Sequence, residues 1–329
     1  MRTITLEEHA TTEEFLKATG QVYHTSGKSL QAGVEDVNTK LLDVGIGRLA
    51  DMDANKIDMQ VLSLSSVGLD KLDPTSATAL ARDTNEKLAA AVRVHPDRFA
   101  AFATLALQEP ENAAAEFEHC VKDFGFKGAM VMGSVNGLFL DDPRFTPLFE
   151  AAQRLDVPIY MHPGLPPRPV LGAYYGGLAG NIGLGLATSG WGWHAETGMH
   201  CLRLILSGLF DRFPGLKIMV GHMGDHLPYN IARTDWVFSQ LALMGDPLPF
   251  KRRVIEYFRE NFYITTSGYF TSPPLLCALQ VIGVDHVLFS VDYPYASNAL
   301  GRAFLDTLAV SPEDFEKITH SNAERLLRL

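Results

Sequence analysis

Apolar positions along the chain fall into eight short runs: Thr3–His9, Ile57–Ser65, Phe99–Ala106, Lys127–Gly133, Val157–His162, Leu216–His222, Phe262–Ser267 and His286–Asp292. Most are near-continuous stretches of Val, Ile, Leu, Met and Phe rather than alternating ones, the pattern of strands buried on both faces in a parallel sheet. Helical patterns separate them: Thr75–Val94, Pro110–Phe124, Asp142–Leu155, Glu196–Phe210, Leu227–Leu243, Ser272–Ile282 and Ser311–Leu327. Pro110 followed by an acid is a good helix opening, and Gly125 a good stop. Eight strands alternating with helices predict an α/β fold, a closed (β/α)8 barrel occupying residues 1–329 as one domain. Such a barrel takes ~250 residues or more. The competing doubly wound sheet lacks a Gly-rich dinucleotide loop after the first strand.

Two segments exceed the regular count and read as insertions, Ala10–Leu42 after the first strand and Gly164–Ala195 after the fifth. Both leave the C-terminal ends of strands, the face on which barrel active sites are built, and long loops there form or cover a pocket. The second is rich in glycine between 176 and 192 but has neither a P-loop ending nor a dinucleotide fingerprint. It reads as a mobile lid, with Tyr174, Tyr175, Trp191 and Trp193 as aromatic contacts.

Composition narrows the function. Apolar residues make up 47% of the chain, enough for a large core, and the net charge is −10 with no basic run. Nucleic acid, which wants a basic stripe, is excluded. A small anionic substrate is not, because a metal ion supplies local positive charge. Cys120, Cys201 and Cys277 have no metal-type spacing, and their odd number suits a reducing compartment. The first residues lack a signal-peptide apolar core and the Pro- and Gly-rich stretch after Pro166 is no membrane span, so a cytoplasmic protein is expected.

The chemistry lies where polar residues interrupt the apolar runs. Glu7 and His9 end the first, His162 the fifth, His222 the sixth and Asp292 the eighth. In a barrel all five project at one rim. Glu7 and His9 are two apart and share a strand face, whereas Glu8 points away, which favours Glu7 over Glu8. Two imidazoles and two carboxylates, from Glu7, His9, His162 and Asp292, make a mixed nitrogen–oxygen site suited to one Zn²⁺ or Mn²⁺ ion. An acid three residues after His222 can orient its imidazole and raise its basicity, so His222 and Asp225 read as an acid–base dyad; the alternative is that Asp225 only caps the helix starting near Leu227. His194 and His200 read as packing residues, His226 as a surface residue at a helix start, and Arg82 and Asn85 as exposed helix positions.

The landmarks Leu6-Glu7-Glu8-His9, Pro96-Asp97-Arg98-Phe99, Tyr160-Met161-His162-Pro163, Leu206-Ser207-Gly208-Leu209-Phe210-Asp211, Gly221-His222-Met223-Gly224, Leu227-Pro228-Tyr229, Ile264-Thr265-Thr266-Ser267-Gly268 and Leu288-Phe289-Ser290-Val291-Asp292-Tyr293-Pro294 cover nearly the whole chain. Together they resemble the amidohydrolase-related decarboxylases, a group that includes γ-resorcylate, 2,3-dihydroxybenzoate, 5-carboxyvanillate and aminocarboxymuconate-semialdehyde decarboxylases. The Glu-x-His opening resembles the hydroxybenzoate branch. The resemblance implies a metal-dependent carboxy-lyase acting on a small aromatic acid with a hydroxyl ortho to the carboxylate. It also implies Glu7, His9, His162 and Asp292 around the metal, Asp292 as the acid that protonates the ring, and His222 with Asp225 beside it. Arg233 would reach a neighbouring subunit's pocket in a homodimer or homotetramer. This chain departs from the resorcylate type in four places. Asp225 replaces a Glu, Asp292-Tyr293-Pro294-Tyr295 replaces Asp-Trp-Pro-Phe, the loop Ser134–Asp141 is shorter, and the loop after the fifth strand is richer in glycine. The competing function is a hydrolase of a lactone, ester or amide on the same scaffold, using metal-bound water.

Overall fold

Each apolar run folds as a strand shorter than the run itself. The computed structural model describes residues 2–20, 37–64, 68–245 and 247–329. The strands are β1 Ile4–Ala10, β2 Met59–Leu64, β3 Phe99–Ala101, β4 Ala103–Thr104, β5 Ala129–Met132, β6 Ile159–His162, β7 Ile218–Val220, β8 Phe262–Thr265 and β9 Val287–Leu288. The third predicted strand is divided at Phe102. The Phe102 N–H donates to the Leu62 carbonyl, and the next N–H, of Ala103, donates to Gly128. The chain thus changes partner in mid-strand, giving sheets β1-β2-β3 and β4-β5-β6-β7-β8-β9, parallel throughout.

Side chains close the seam between β9 and β1. The Glu8 carboxylate accepts from the backbone N–H groups of Val291 and Tyr293 and from the Ser290 hydroxyl. Ser290 Oγ accepts in turn from the N–H groups of Leu6 and Glu7, and His9 N–H donates to the Tyr293 carbonyl at 2.6 Å. Burial raises the Glu8 pKa, and these bonds to its charged form oppose that rise. The eighth predicted strand, His286–Asp292, keeps its ladder only to Leu288 because these side-chain bonds take over beyond it.

Inside the barrel Ile4, Leu6, Met59, Phe102, Tyr160 and Met219 form one apolar cluster, joined by Ala323, Leu326 and Leu327 of the C-terminal helix. A larger cluster fills the space between barrel and helices. Strict alternation would send Glu8 inward after Ile4 and Leu6. The β1–β2 register shifts between Thr5 and Glu8, and this bulge turns Glu7 and His9 inward instead.

Helices Leu227–Leu243 and Ser272–Ile282 match the sequence reading, and Pro74–Val94 and Pro110–Asp123 fall within a residue of it. The predicted helix Glu196–Phe210 begins at Gly192, stops at Leu206 and resumes as Leu209–Arg212, interrupted at the left-handed Gly208. Helices Val254–Asn261 and Asn298–Asp306 lie outside the sequence reading; Glu256 accepts from Arg253 N–H at the start of the first, and Ser297 Oγ accepts from Leu300 N–H at the start of the second. The segment after β6 holds helical turns at Arg168–Val170, Leu171–Tyr175 and Ile182–Ala187. Residues 21–36 of the first insertion, His24 among them, and Ser65 lie outside the described residues. Asn85 is buried, against expectation. Its amide donates to the Thr104 carbonyl and to Glu116, and its oxygen accepts from Thr104 N–H, which ties helix Pro74–Val94 to β4. Arg82, on the same helix, is exposed as expected and donates to Glu116. Among the described residues no helix is long and apolar enough to cross a membrane.

Candidate metal centre and acid–base site

At the C-terminal rim, ligand atoms of Glu7, His9, His162 and Asp292 all lie within 4.8 Å of one another. Three of the four are braced from outside the cluster. Glu7 Oε2 accepts from the Tyr160 hydroxyl, itself bonded to Thr265 at 2.6 Å. Gly221 makes room for that carboxylate, since a Cβ there would stand 2.5 Å from Glu7 Oε2. His9 Nδ1 faces Ser63 Oγ at 3.3 Å, and His162 Nδ1–H donates to the Pro163 carbonyl at 3.0 Å. Bonding through Nδ1 leaves each Nε2 free for the cluster, as a ligating imidazole requires. The buried Arg48 donates to the His9 carbonyl at 2.6 Å and lies over the Tyr293 ring.

The residues present fit a divalent cation. Glu7 Oε1 and His9 Nε2 are buried and make no hydrogen bond, a costly state unless another partner compensates. Burial, with lesser help from His9 and His222, pulls His162 down to about 3, so its imidazole is neutral at ordinary pH. Burial raises the Glu7 carboxyl against the opposing pull of His222. Burial would raise Asp292 too, but the neighbouring His222 and His9 imidazoles outweigh it and hold this carboxyl below its usual range.

A second group, His194, His222 and Asp225, stands beside the first. His222 lies two residues beyond β7, not on the strand, in a turn where His222, Met223, Gly224, Asp225 and His226 all have positive φ, between 45° and 83°. Each non-glycine in that left-handed turn costs about 1–2 kcal/mol. A tertiary bond from Met223 N–H to the Thr265 carbonyl at 2.9 Å and a local one from Gly224 N–H to the Gly221 carbonyl at 2.7 Å hold it. Strained non-glycine residues of this kind gather at functional sites, and Asp292, with φ 72°, is another.

The turn aims His222 Nε2 at the first group, 3.8 Å from Glu7 Oε1 and 3.8 Å from Asp292 Oδ2. Burial would lower the His222 pKa, but the Glu7 and Asp225 carboxylates outweigh it and raise it well above the ordinary imidazole range. Asp225 is fully buried. Burial would raise it, and the neighbouring His222 and His194 hold it below its usual value. It caps no helix: the residue preceding Leu227–Leu243 is His226, which has no side-chain capping bond.

The five rim residues read from the sequence come together, together with Asp225. Arg233 does not join them: it is exposed on helix Leu227–Leu243, its guanidinium 4.4 Å from the Trp236 ring. His194, read as packing, is part of the site. Its Nδ1 lies 2.7 Å from Asp225 Oδ1 and its ring 4.6 Å from that of His222. Nothing in its local sequence marks it, because helix and turn are distant in the chain. His226 is half-buried and its ring lies 4.5 Å from that of Trp191. His200 does pack: its Nε2 accepts from Leu140 N–H at 2.8 Å.

Comparison with known proteins agrees with this architecture. The amidohydrolase family model matches residues 43–329. The γ-resorcylate decarboxylase of Polaromonas sp. is 38% identical over 99% of this chain and 98% of its own length. Among solved structures, a 2,6-dihydroxybenzoate decarboxylase complexed with 2,6-dihydroxybenzoate superposes with a TM-score of 0.90 at 36% identity, covering 100% of both chains. The dihydroxybenzoic acid decarboxylase of Polaromonas sp., with bound manganese and the inhibitor 2-nitroresorcinol, gives 0.88 at 37% identity, covering 100% of this chain and 97% of that one. The chain therefore belongs to the amidohydrolase family, with γ-resorcylate and related hydroxybenzoate decarboxylases as its homologues.

Proposed function

We propose that the protein is a metal-dependent, non-oxidative decarboxylase of an aromatic acid carrying a hydroxyl ortho to its carboxylate. The observation that carries this reading is the mixed donor cluster with His222 and Asp292 facing each other at its edge, in a chain whose full-length relatives are hydroxybenzoate decarboxylases. Glu7, His9, His162 and Asp292 would hold one divalent ion, manganese or zinc. When bound, that ion supplies a Lewis acid that orients the carboxylate and neighbouring phenolate and draws charge from the ring.

The chain's own residues handle the proton. Tyr160, Ser63 and the Pro163 carbonyl keep Glu7, His9 and His162 in place. His222 stores a proton between the Glu7 and Asp225 carboxylates. Asp292, the partly exposed member of the cluster, relays that proton from His222 Nε2 to the ring carbon bearing the carboxylate; held below its usual range, it carries the proton only in transit. The bond from that carbon to the carboxylate then breaks, its electron pair restores the ring, and carbon dioxide leaves. One proton from solvent, entering through His222, balances each turnover. The hydroxylated ring is itself the electron sink.

The test is carbon dioxide release from a panel of ortho-hydroxylated benzoates, using protein supplied with Mn²⁺ or Zn²⁺. Wild type should release it, and Asp292→Asn should fall by about 10²–10⁴-fold, the usual worth of a positioned acid. No release across the panel from metal-loaded wild type would overturn the reading and favour a hydrolase. We also assign Arg233, exposed beside Trp236, to the pocket of a second copy in a homodimer or homotetramer; a monomer in sedimentation velocity would refute that.

A further inference from the structure

The geometry points to His194 as a positioning residue that holds the Asp225 carboxylate and so governs its grip on His222. This rests on the reading of His222 as the acid–base group. Both nitrogens of His194 face acceptors: Nε2 lies 3.0 Å from the Ser189 carbonyl and Nδ1 2.7 Å from Asp225 Oδ1. A carbonyl only accepts, so Nε2 carries a hydrogen. The His194–Asp225 pair then shares one proton along the Nδ1–Oδ1 line.

His222 Nδ1 lies 3.3 Å from the same Oδ1 but makes no hydrogen bond, and neither does Asp225 Oδ2. Two imidazoles thus converge on one carboxylate oxygen, and His194 has the shorter contact. Without it, this carboxylate would be free to rotate away from His222.

The surroundings are shaped for the contact. His194 and Gly198 are four apart on helix Gly192–Leu206 and share a face. A Cβ on Gly198 would stand 2.4 Å from the Asp225 carbonyl oxygen, so the helix backbone lies directly against the left-handed turn. Trp191 adds a third contact through His226. His194 is 3% exposed; its bonds lie within the protein.

Three replacements separate positioning from packing. The amide of Asn stands near the Nδ1 position of an imidazole and that of Gln near Nε2. His194→Asn should keep the bond to Asp225, His194→Gln only the bond to Ser189, and His194→Ala neither. In metal-loaded protein, His194→Ala and His194→Gln should lose about tenfold or more in kcat, with KM and bound metal unchanged, and His194→Asn should recover most of that loss. Equal kcat values for the Asn and Gln variants, or wild-type kcat in all three, would overturn the proposal. An activity-independent measurement is the proton NMR spectrum of Zn²⁺-loaded protein. A far-downfield imidazole N–H signal should appear in wild type and in His222→Gln, and vanish in His194→Gln and His194→Ala. Persistence of the signal in His194→Gln would equally refute the assignment. If wild type releases no carbon dioxide while the signals follow this pattern, the decarboxylase reading fails and the His194–Asp225 pairing stands.

Discussion

The two polar groups at the rim are built on different principles. Glu7, His9 and His162 sit on strands, and each has one face in the cluster and the other bonded to another strand or to the adjoining backbone. His222 and Asp225 sit on a left-handed turn, held by bonds to Thr265 and Gly221 and by a helix pressed against them. The first arrangement fixes ligand atoms rigidly, as a metal site needs. The second places a proton-carrying imidazole beside that site on a strained element whose fit depends on packing from outside the barrel.

The largest expected effect separates the two groups by what each variant loses. His162→Ala should weaken metal binding on the order of 100-fold or more, since it deletes a proposed ligand. His222→Gln should keep its metal and lose about 10²–10⁴-fold in kcat. Metal content by elemental analysis beside carbon dioxide release decides the matter. Equal metal loss in both variants would erase the distinction, because it would make His222 a ligand.

The same division explains what the sequence reveals. Glu7, His9 and His162 interrupt apolar runs at strand ends, so the run itself announces them. Asp292 is equally visible, although it lies four residues past β9, because the apolar pattern continues where the ladder stops. The choice of Glu7 over Glu8 follows from alternation between neighbours, yet the bulge that turns Glu7 inward behind Leu6 is not visible in the sequence. His194 is invisible for another reason: its partner lies 31 residues away across a helix-to-turn contact with no periodic signature. Asn85 fails likewise, because a polar residue on a helix reads as exposed until a strand edge is seen to need its amide.

A smaller effect probes the packing that supports the second group. Gly→Ala within a helix ordinarily gains up to about 1 kcal/mol. At Gly198 the added methyl would meet the Asp225 carbonyl oxygen at 2.4 Å, backbone that cannot swing aside. Gly198→Ala should therefore destabilise by about 1–3 kcal/mol, the usual range for overpacking, and lower kcat while leaving metal content intact. A raised Tm with unchanged kcat would mean that the turn yields easily and that its fit to the helix is not what holds Asp225.

The smallest effect concerns His200, on the same helix as His194 but facing Phe139 and Leu140. Burial holds its pKa down to about 4, against ~6.5 in an unfolded chain. Between those values the unfolded state binds a proton that the folded state refuses, so folding stability falls as pH drops from about 6.5 to about 4. A shift of this size corresponds to about 3 kcal/mol across the window. His200→Gln can keep an acceptor for Leu140 N–H while removing the titration. Denaturant melts at pH 7 and pH 5 should show the variant losing less stability on acidification than wild type, with the metal ligands unaltered. If both lose the same amount, acid sensitivity resides elsewhere, and the polar groups at the rim become the next place to look. A reduced loss would show that the helix carrying His194 responds to acid through a residue outside the site, so the acid limb of activity would have to be corrected for unfolding before any of it is assigned to His222.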